Sequence, residues 1–205
     1  IFVSNMPLIK SISGIRGTIG SKKNENLTPE DIKSFTAAFG EWVKSKTDNT
    51  LVKIVVGRDA RKSGKMINSI VNNTLISLGI NVIDLGLSTT PTVEMMVLSE
   101  KAQGGIVITA SHNPKEWNAL KFLNNKGECL SASSILDVIN RSESININFS
   151  KINELGSVIK DNSAIDSHIS SILNLSIINS KLIRNQKYKV VVDAVNSSGG
   201  IAIPK

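Results

Sequence analysis

Three short segments of the chain set chemically capable side chains beside glycine or proline, and each invites a different chemistry. The richest is Thr109-Ala110-Ser111-His112-Asn113-Pro114, with Asn118 and Lys121 shortly after it. Serine next to histidine raises the possibility of a hydrolase. Adjacent Ser and His seldom point at each other, however, no orienting acid is evident, and the nucleophile-elbow pattern is absent. A zinc site is equally poor, with two histidines far apart in sequence and one cysteine. Asn113 precedes a proline and is biased to extended backbone, which stiffens the loop. Ser111 and His112 should therefore emerge from a strand end, with Lys121 close enough to return to the same pocket. Read from the residues alone, the segment is also compatible with a polar turn and a capping serine.

The second segment is Gly57-Arg58-Asp59-Ala60-Arg61-Lys62-Ser63. An acid between two arginines predicts internal ion pairs that fix the loop, with Ser63 capping the helix that follows. Arg58, Asp59 and Arg61 then support a site without reacting in it. The third is Ser13-Gly14-Ile15-Arg16-Gly17-Thr18. Its glycines allow backbone N–H groups to approach an anion, and Arg16 offers a fork of donors. It matches neither a Walker loop nor a dinucleotide fingerprint, and it reads equally well as a strand end.

The elements that must position these loops alternate between branched runs and amphipathic stretches. Strands are predicted at 51–57, 80–86, 104–110 and 119–123. One helix starts at Thr28, with Pro29 in its first turn, Asp31 completing a capping box, and Ile32, Phe35, Phe39 and Trp42 on one face. A second runs from Ser63 to Leu78 with Met66, Ile67, Ile70, Val71, Leu75 and Leu78 inward, ended by Gly79. Others begin at Thr90-Pro91 and at Ser131 or Ser133. Composition turns to Ser, Asn and Glu over 141–157, which predicts a boundary. Beyond it come a helix with Ile165, Ile169, Ile172, Leu173 and Leu175 as its apolar positions, and a buried strand at 187–196. Trp117 is expected to pack, His168 to be exposed and Cys129 to be an ordinary thiol. The pattern is α/β, a mixed sheet sandwiched by helices.

With 205 residues, 40% hydrophobic and 20% charged, the chain can bury a sizeable core, built of aliphatic residues because aromatics are only 4%. A net charge of +7 favours anionic partners, but the positives form no long run and no nucleic-acid motif occurs, so nucleic acid is not expected. No run is long enough to span a bilayer, and IFVSNMPLIK lacks the features of a signal peptide. A single cysteine fits a reducing compartment, and a cytoplasmic protein is expected.

Taken together, SGIRG, GRDARKSG and TASHNP followed by WNALKF resemble, in order and spacing, the motifs of the α-D-phosphohexomutase superfamily. The resemblance runs over essentially the whole chain, and the wording is similar to bacterial phosphoglucosamine mutases and phosphoglucomutase/phosphomannomutases. It implies a serine phosphorylated in the active enzyme at Ser111, and a Mg²⁺ ion touched in this chain only through the Ser111 phosphate. It implies Arg16 and Lys121 near the transferring phosphoryl group, and His112, Asn113 and Asn118 lining the site. His112, Lys121 and Arg16 all remain candidates for proton transfer. The substrate implied is a hexose phosphate passing through a hexose 1,6-bisphosphate, with glucosamine phosphate ahead of glucose or mannose phosphate. A non-catalytic sugar-phosphate-binding relative is the alternative. The resemblance also implies domain I at 1–150 and the start of a related domain II at 151–205. The family's metal loop, sugar-recognition loop and phosphate-binding loop are not in the sequence.

Overall fold

The computed structural model describes residues 8–144 and 147–205; the opening IFVSNMP lies outside them. A hairpin, β1 (Ile9–Ser11) and β2 (Gly14–Thr18), leads to helix α1 (Pro29–Lys44). Alternating units follow: β3 (Lys53–Arg58), α2 (Gly64–Ser77), β4 (Asn81–Leu87), α3 (Thr90–Ser99) and β5 (Gly104–Ile108). Then come β6 (Trp117–Leu123), α4 (Ala132–Ser144), β7 (Val158–Lys160) and α5 (Ala164–Leu173). The strands form one seven-stranded sheet in the order β1-β2-β6-β5-β3-β4-β7. β5, β3, β4 and β7 are parallel, and β6, β2 and β1 extend the sheet as antiparallel neighbours.

Side chains alternate across the pleat, and the two faces fill differently. Ile54, Val56, Ile106, Ile108, Leu120 and Ile15 join one core with the apolar stripes of α1, α2 and α4. Val55, Ile83, Leu85 and Val107 face the other way, into a smaller core with Val93, Met96 and Val97 of α3 and Ala164 of α5. The second face is thus roofed over the parallel strands. At β2 and β6 it carries polar side chains, Arg16 and Lys121, at positions where the first face carries Ile15 and Leu120.

Local signals explain the helix starts. The Thr28 hydroxyl accepts the Asp31 N–H at 3.1 Å and the Asp31 carboxylate accepts the Thr28 N–H at 3.0 Å, a complete capping box. Ile32, Phe35, Phe39 and Trp42 are buried beneath it, and so is Trp117 on β6. Ser131 accepts the Ser134 N–H at the start of α4.

Several expectations are corrected. Met66 is 39% exposed, because the buried stripe of α2 runs through Ile67, Val71 and Leu75. Ser63 makes no side-chain cap; its hydroxyl is taken by Asn118. In α5 only the first turn reaches the core, leaving Ile172, Leu173 and the following Leu175 exposed. His168 is half-buried, its Nδ1 3.0 Å from the Thr92 hydroxyl of α3. Residues 187–196 form no strand, and Val191 is 97% exposed. A strand exists through a hydrogen-bonding neighbour, and among the described residues none pairs with this segment. Beyond the expected boundary, β7 pairs with β4 and α5 packs on α3, so the start of the following segment lies against the first domain. Among the described residues no helix is long and apolar enough to cross a membrane.

Candidate active site

β3 and β5 are parallel neighbours, so the loops that leave their C-terminal ends emerge side by side. These are the GRDAR and TASHNP segments, and the contacts between them are dense. Asp59 and Arg61 anchor them. The Asp59 carboxylate accepts the Arg61 backbone N–H at 3.0 Å, the Arg61 Nε at 3.1 Å and the Thr109 hydroxyl at 2.7 Å. Thr109 in turn accepts the Ser111 N–H at 3.0 Å, a hydroxyl-to-backbone turn of the kind Ser and Thr favour. The Arg61 guanidinium donates to four carbonyls of the serine loop, those of Ser111, Asn113, Pro114 and Trp117, at 2.7–3.1 Å. The ion pair expected within this loop is therefore present, and its arginine is Arg61.

Ser111 is held at φ +55°, in the left-handed region that residues with a Cβ seldom occupy. Its N–H and C=O are both engaged, while the residue itself is exposed. His112 is exposed beside it. A cleft of about 180 Å³ opens on one flank, bringing Ser111, His112 and Asn113 together with Ser13, Arg16 and Lys121. Arg16 is on β2 opposite Ala119, and its Nε is buried with no hydrogen-bond partner among the described residues. The SGIRG segment is thus a hairpin turn and an edge-ward strand, where sequence reasoning expected a loop. Gly14 explains the spacing. It has φ +111°, and a Cβ there would lie 2.5 Å from the Leu120 carbonyl and 3.1 Å from Lys121 Cγ.

On the other flank, a second cleft of about 370 Å³ is shared by Asp59, Arg61, Ser111 and His112 with Lys115 and the 195–197 loop. The Ser197 hydroxyl accepts the Ala60 N–H at 3.3 Å.

Two candidates do not join this group. Asn118 is fully buried on the opposite face of β6, where its amide donates to Ser63 at 2.9 Å and accepts the Ala119 N–H at 2.8 Å. It ties β6 to the start of α2 and lines neither cleft. Arg58 forms no ion pair with Asp59. Its guanidinium donates to the Asp59 backbone carbonyl at 3.0 Å and lines a separate cavity of about 550 Å³ beside α2 with Asp84 and Lys160. Sequence reasoning missed Thr109, which the two-residue offset from Ser111 would have flagged. It also missed Lys115 and Ser13.

The electrostatics favour an anion. Arg16 and Lys121 present positive charge to the cleft, whose lining includes no carboxylate among the described residues, and Asp59 behind it is occupied by Arg61 and Thr109. Among the described residues no group of three His, Cys, Asp or Glu stands together as a metal site would require.

Comparison with known proteins gives a consistent picture. The family described as phosphoglucomutase/phosphomannomutase, alpha/beta/alpha domain I, matches residues 8–147. The chain is similar to a phosphoglucomutase/phosphomannomutase of Thermococcus kodakarensis, 35% identical over 191 residues, covering 93% of this chain and 40% of that protein. It is similar also to a phosphoglucosamine/phosphogalactosamine mutase of Sulfurisphaera tokodaii, 31% identical over 194 residues, with 93% and 40% covered. Among solved structures, a phosphoglucomutase/phosphomannomutase family protein from Burkholderia thailandensis matches with a TM-score of 0.67 at 25% identity, covering 85% of this chain and 36% of that one. The chain spans about 40% of the length of the curated relatives named here.

Proposed function

The chain belongs to the phosphoglucomutase/phosphomannomutase family, and from that premise we propose that it is the serine-bearing part of a phosphohexomutase. The reaction interconverts hexose 6-phosphate and hexose 1-phosphate through a phosphorylated Ser111. The observation that carries this reading is Ser111 itself, its backbone fixed on both sides and the residue exposed beside a cleft holding Arg16 and Lys121.

In the forward half-reaction the bond between phosphorus and Ser111 Oγ breaks, and a bond forms to a hydroxyl oxygen of the bound hexose phosphate. The sugar hydroxyl gives its proton to a base, and Oγ regains one. The bisphosphorylated sugar then returns its other phosphate to Ser111. A phosphoserine carries roughly −1.5 to −2 charges at neutral pH. Transfer of such a group depends on positioning and on stabilising charge, which is the role of Arg16 and Lys121. Arg16, whose Nε has no partner among the described residues, suits an incoming phosphoryl oxygen. His112, exposed next to Ser111, is the proton-transfer candidate, with Lys121 the other.

The family resemblance implies Mg²⁺. The Ser111 phosphate would supply one oxygen, the Asp59 carboxylate is already engaged by Arg61 and Thr109, and the described residues hold no group of three potential metal-binding side chains. The remaining ligands, and the groups that read the sugar, are assigned to other parts of the full-length protein. Glucosamine phosphate is the preferred substrate, with glucose and mannose phosphates as the alternatives, since the relatives' names cover several hexoses. The first domain is assigned to residues 1–150 and the start of the second to 151–205, with β7 and α5 packed onto the first.

The test is intact mass and phosphopeptide mapping of full-length protein purified without phosphatase. One phosphoryl group on the Ser111 peptide, restored by hexose 1,6-bisphosphate and abolished with all turnover in S111A, is expected. A Ser111 that neither carries nor accepts phosphate sinks the mechanism and moves a non-catalytic sugar-phosphate-binding protein to the front.

A further inference from the structure

Arg61 has five N–H groups on its guanidinium, and all five have acceptors: one Asp59 carboxylate oxygen and four backbone carbonyls of the serine loop. No donor is left for a ligand. The side chain is 12% exposed and the Asp59 side chain 14%, so these bonds are largely shielded from water. The four carbonyls run from Ser111 to Trp117, the first residue of β6, and so cover most of the connection between β5 and β6. One of them belongs to Ser111, whose left-handed backbone is otherwise unfavourable for a residue with a side chain. From the other side, Asp59 orients the Thr109 hydroxyl that accepts the Ser111 N–H. Both ends of the nucleophile's peptide units therefore lead back to one Asp–Arg pair on the neighbouring loop.

We propose that Arg61, aligned by Asp59, is the positioning residue that holds Ser111 in its strained conformation for phosphoryl transfer, and that it takes no part in binding the phosphate. The inference rests on the phosphohexomutase reading. A flat fork is required for this task. A lysine ammonium has three donors at a single point and cannot span carbonyls distributed along seven residues. Displacing a reacting group by about 1 Å costs on the order of 100-fold in rate. Losing Arg61 should thus slow the transfer step and leave substrate affinity in place. Arg58, adjacent and of the same type but turned to another cavity, serves as the internal comparison.

The experiment uses full-length protein with dephosphorylated Ser111. It follows phosphoryl transfer from hexose 1,6-bisphosphate in a single turnover, alongside steady-state KM for the hexose monophosphate. In R61K the transfer rate is expected to fall about 100-fold with KM within threefold of wild type. In R61A, free guanidinium should restore at least a tenfold gain where methylammonium does not. T109V keeps the side-chain shape and removes only the hydroxyl; it should slow transfer about tenfold and covers the case in which Arg61 variants fold poorly. R58K should stay within threefold. R61K transferring at the wild-type rate overturns the proposal, as does a loss that follows the folded fraction seen by circular dichroism across the variants. A wild-type protein that takes no phosphate at Ser111 removes the mutase reading itself, and this inference with it.

Discussion

At the scale of single residues, hydrogen-bond accounting separates three arginines that the sequence presents alike. Arg61 has every donor used within the protein, Arg58 faces a different cavity, and Arg16 keeps a buried Nε without a partner among the described residues beside the cleft. Only the last is arranged to receive an anion. The same accounting moves Asn118 out of the site. Its amide satisfies Ser63 and the Ala119 N–H from a position with no solvent exposure. N118A should therefore destabilise the protein by about 1–3 kcal/mol, through the hydroxyl and backbone groups it leaves unpaired. Thermal unfolding would show the loss, while KM measured well below the transition stays unchanged. An N118A protein of native stability and raised KM would put the residue back in the site. The sequence pattern TASHNP-x-x-WNALKF made Asn118 look like a neighbour of Ser111. It could not reveal that strand alternation turns residue 118 to the face opposite Lys121.

At the scale of elements, what was legible followed the strength of the local signal. The capping box of α1, the four strands β3 to β6 and the helices between them are readable because periodicity, caps and glycine stops agree. The hairpin β1–β2 was not, because a short strand carrying glycines and an arginine has no apolar alternation to display. Residues 187–196 failed in the opposite way: a strong branched run without a pairing partner among the described residues. The site was readable as to its loops and unreadable as to its contacts, since Thr109 and Arg61 act through backbone groups that sequence does not distinguish. Gly14 gives a test at this scale. Its φ of +111° and the 2.5 Å gap to the Leu120 carbonyl make G14A strained on two counts. A loss of about 1–3 kcal/mol is expected, read as a lower urea midpoint with an unchanged slope. Because the added methyl also presses on Lys121, phosphoryl transfer should slow in parallel; an unperturbed midpoint would mean the hairpin relaxes at no cost.

At the scale of the whole molecule, the sheet joins seven strands from both sides of residue 150, and the charged cleft sits where the second face of that sheet carries Arg16 and Lys121. Residues 1–205 expressed alone should turn over no hexose phosphate, since the described residues hold no carboxylate cluster and the chain spans about 40% of the length of the Thermococcus and Sulfurisphaera relatives. A coupled assay for hexose 6-phosphate formation checks this, and turnover by that piece would show the site to be complete as it stands. The alternation along β2 and β6 has a consequence for how such a protein can change. Ile15 and Leu120 hold the fold from one side of the pleat, and Arg16 and Lys121 line the charged cleft on the other. Each strand is therefore written in two interleaved registers, and substitutions in one need not be read in the other. That freedom belongs to the cleft-lining positions alone, because Gly14, Ala119 and Leu123 share their register and are packed.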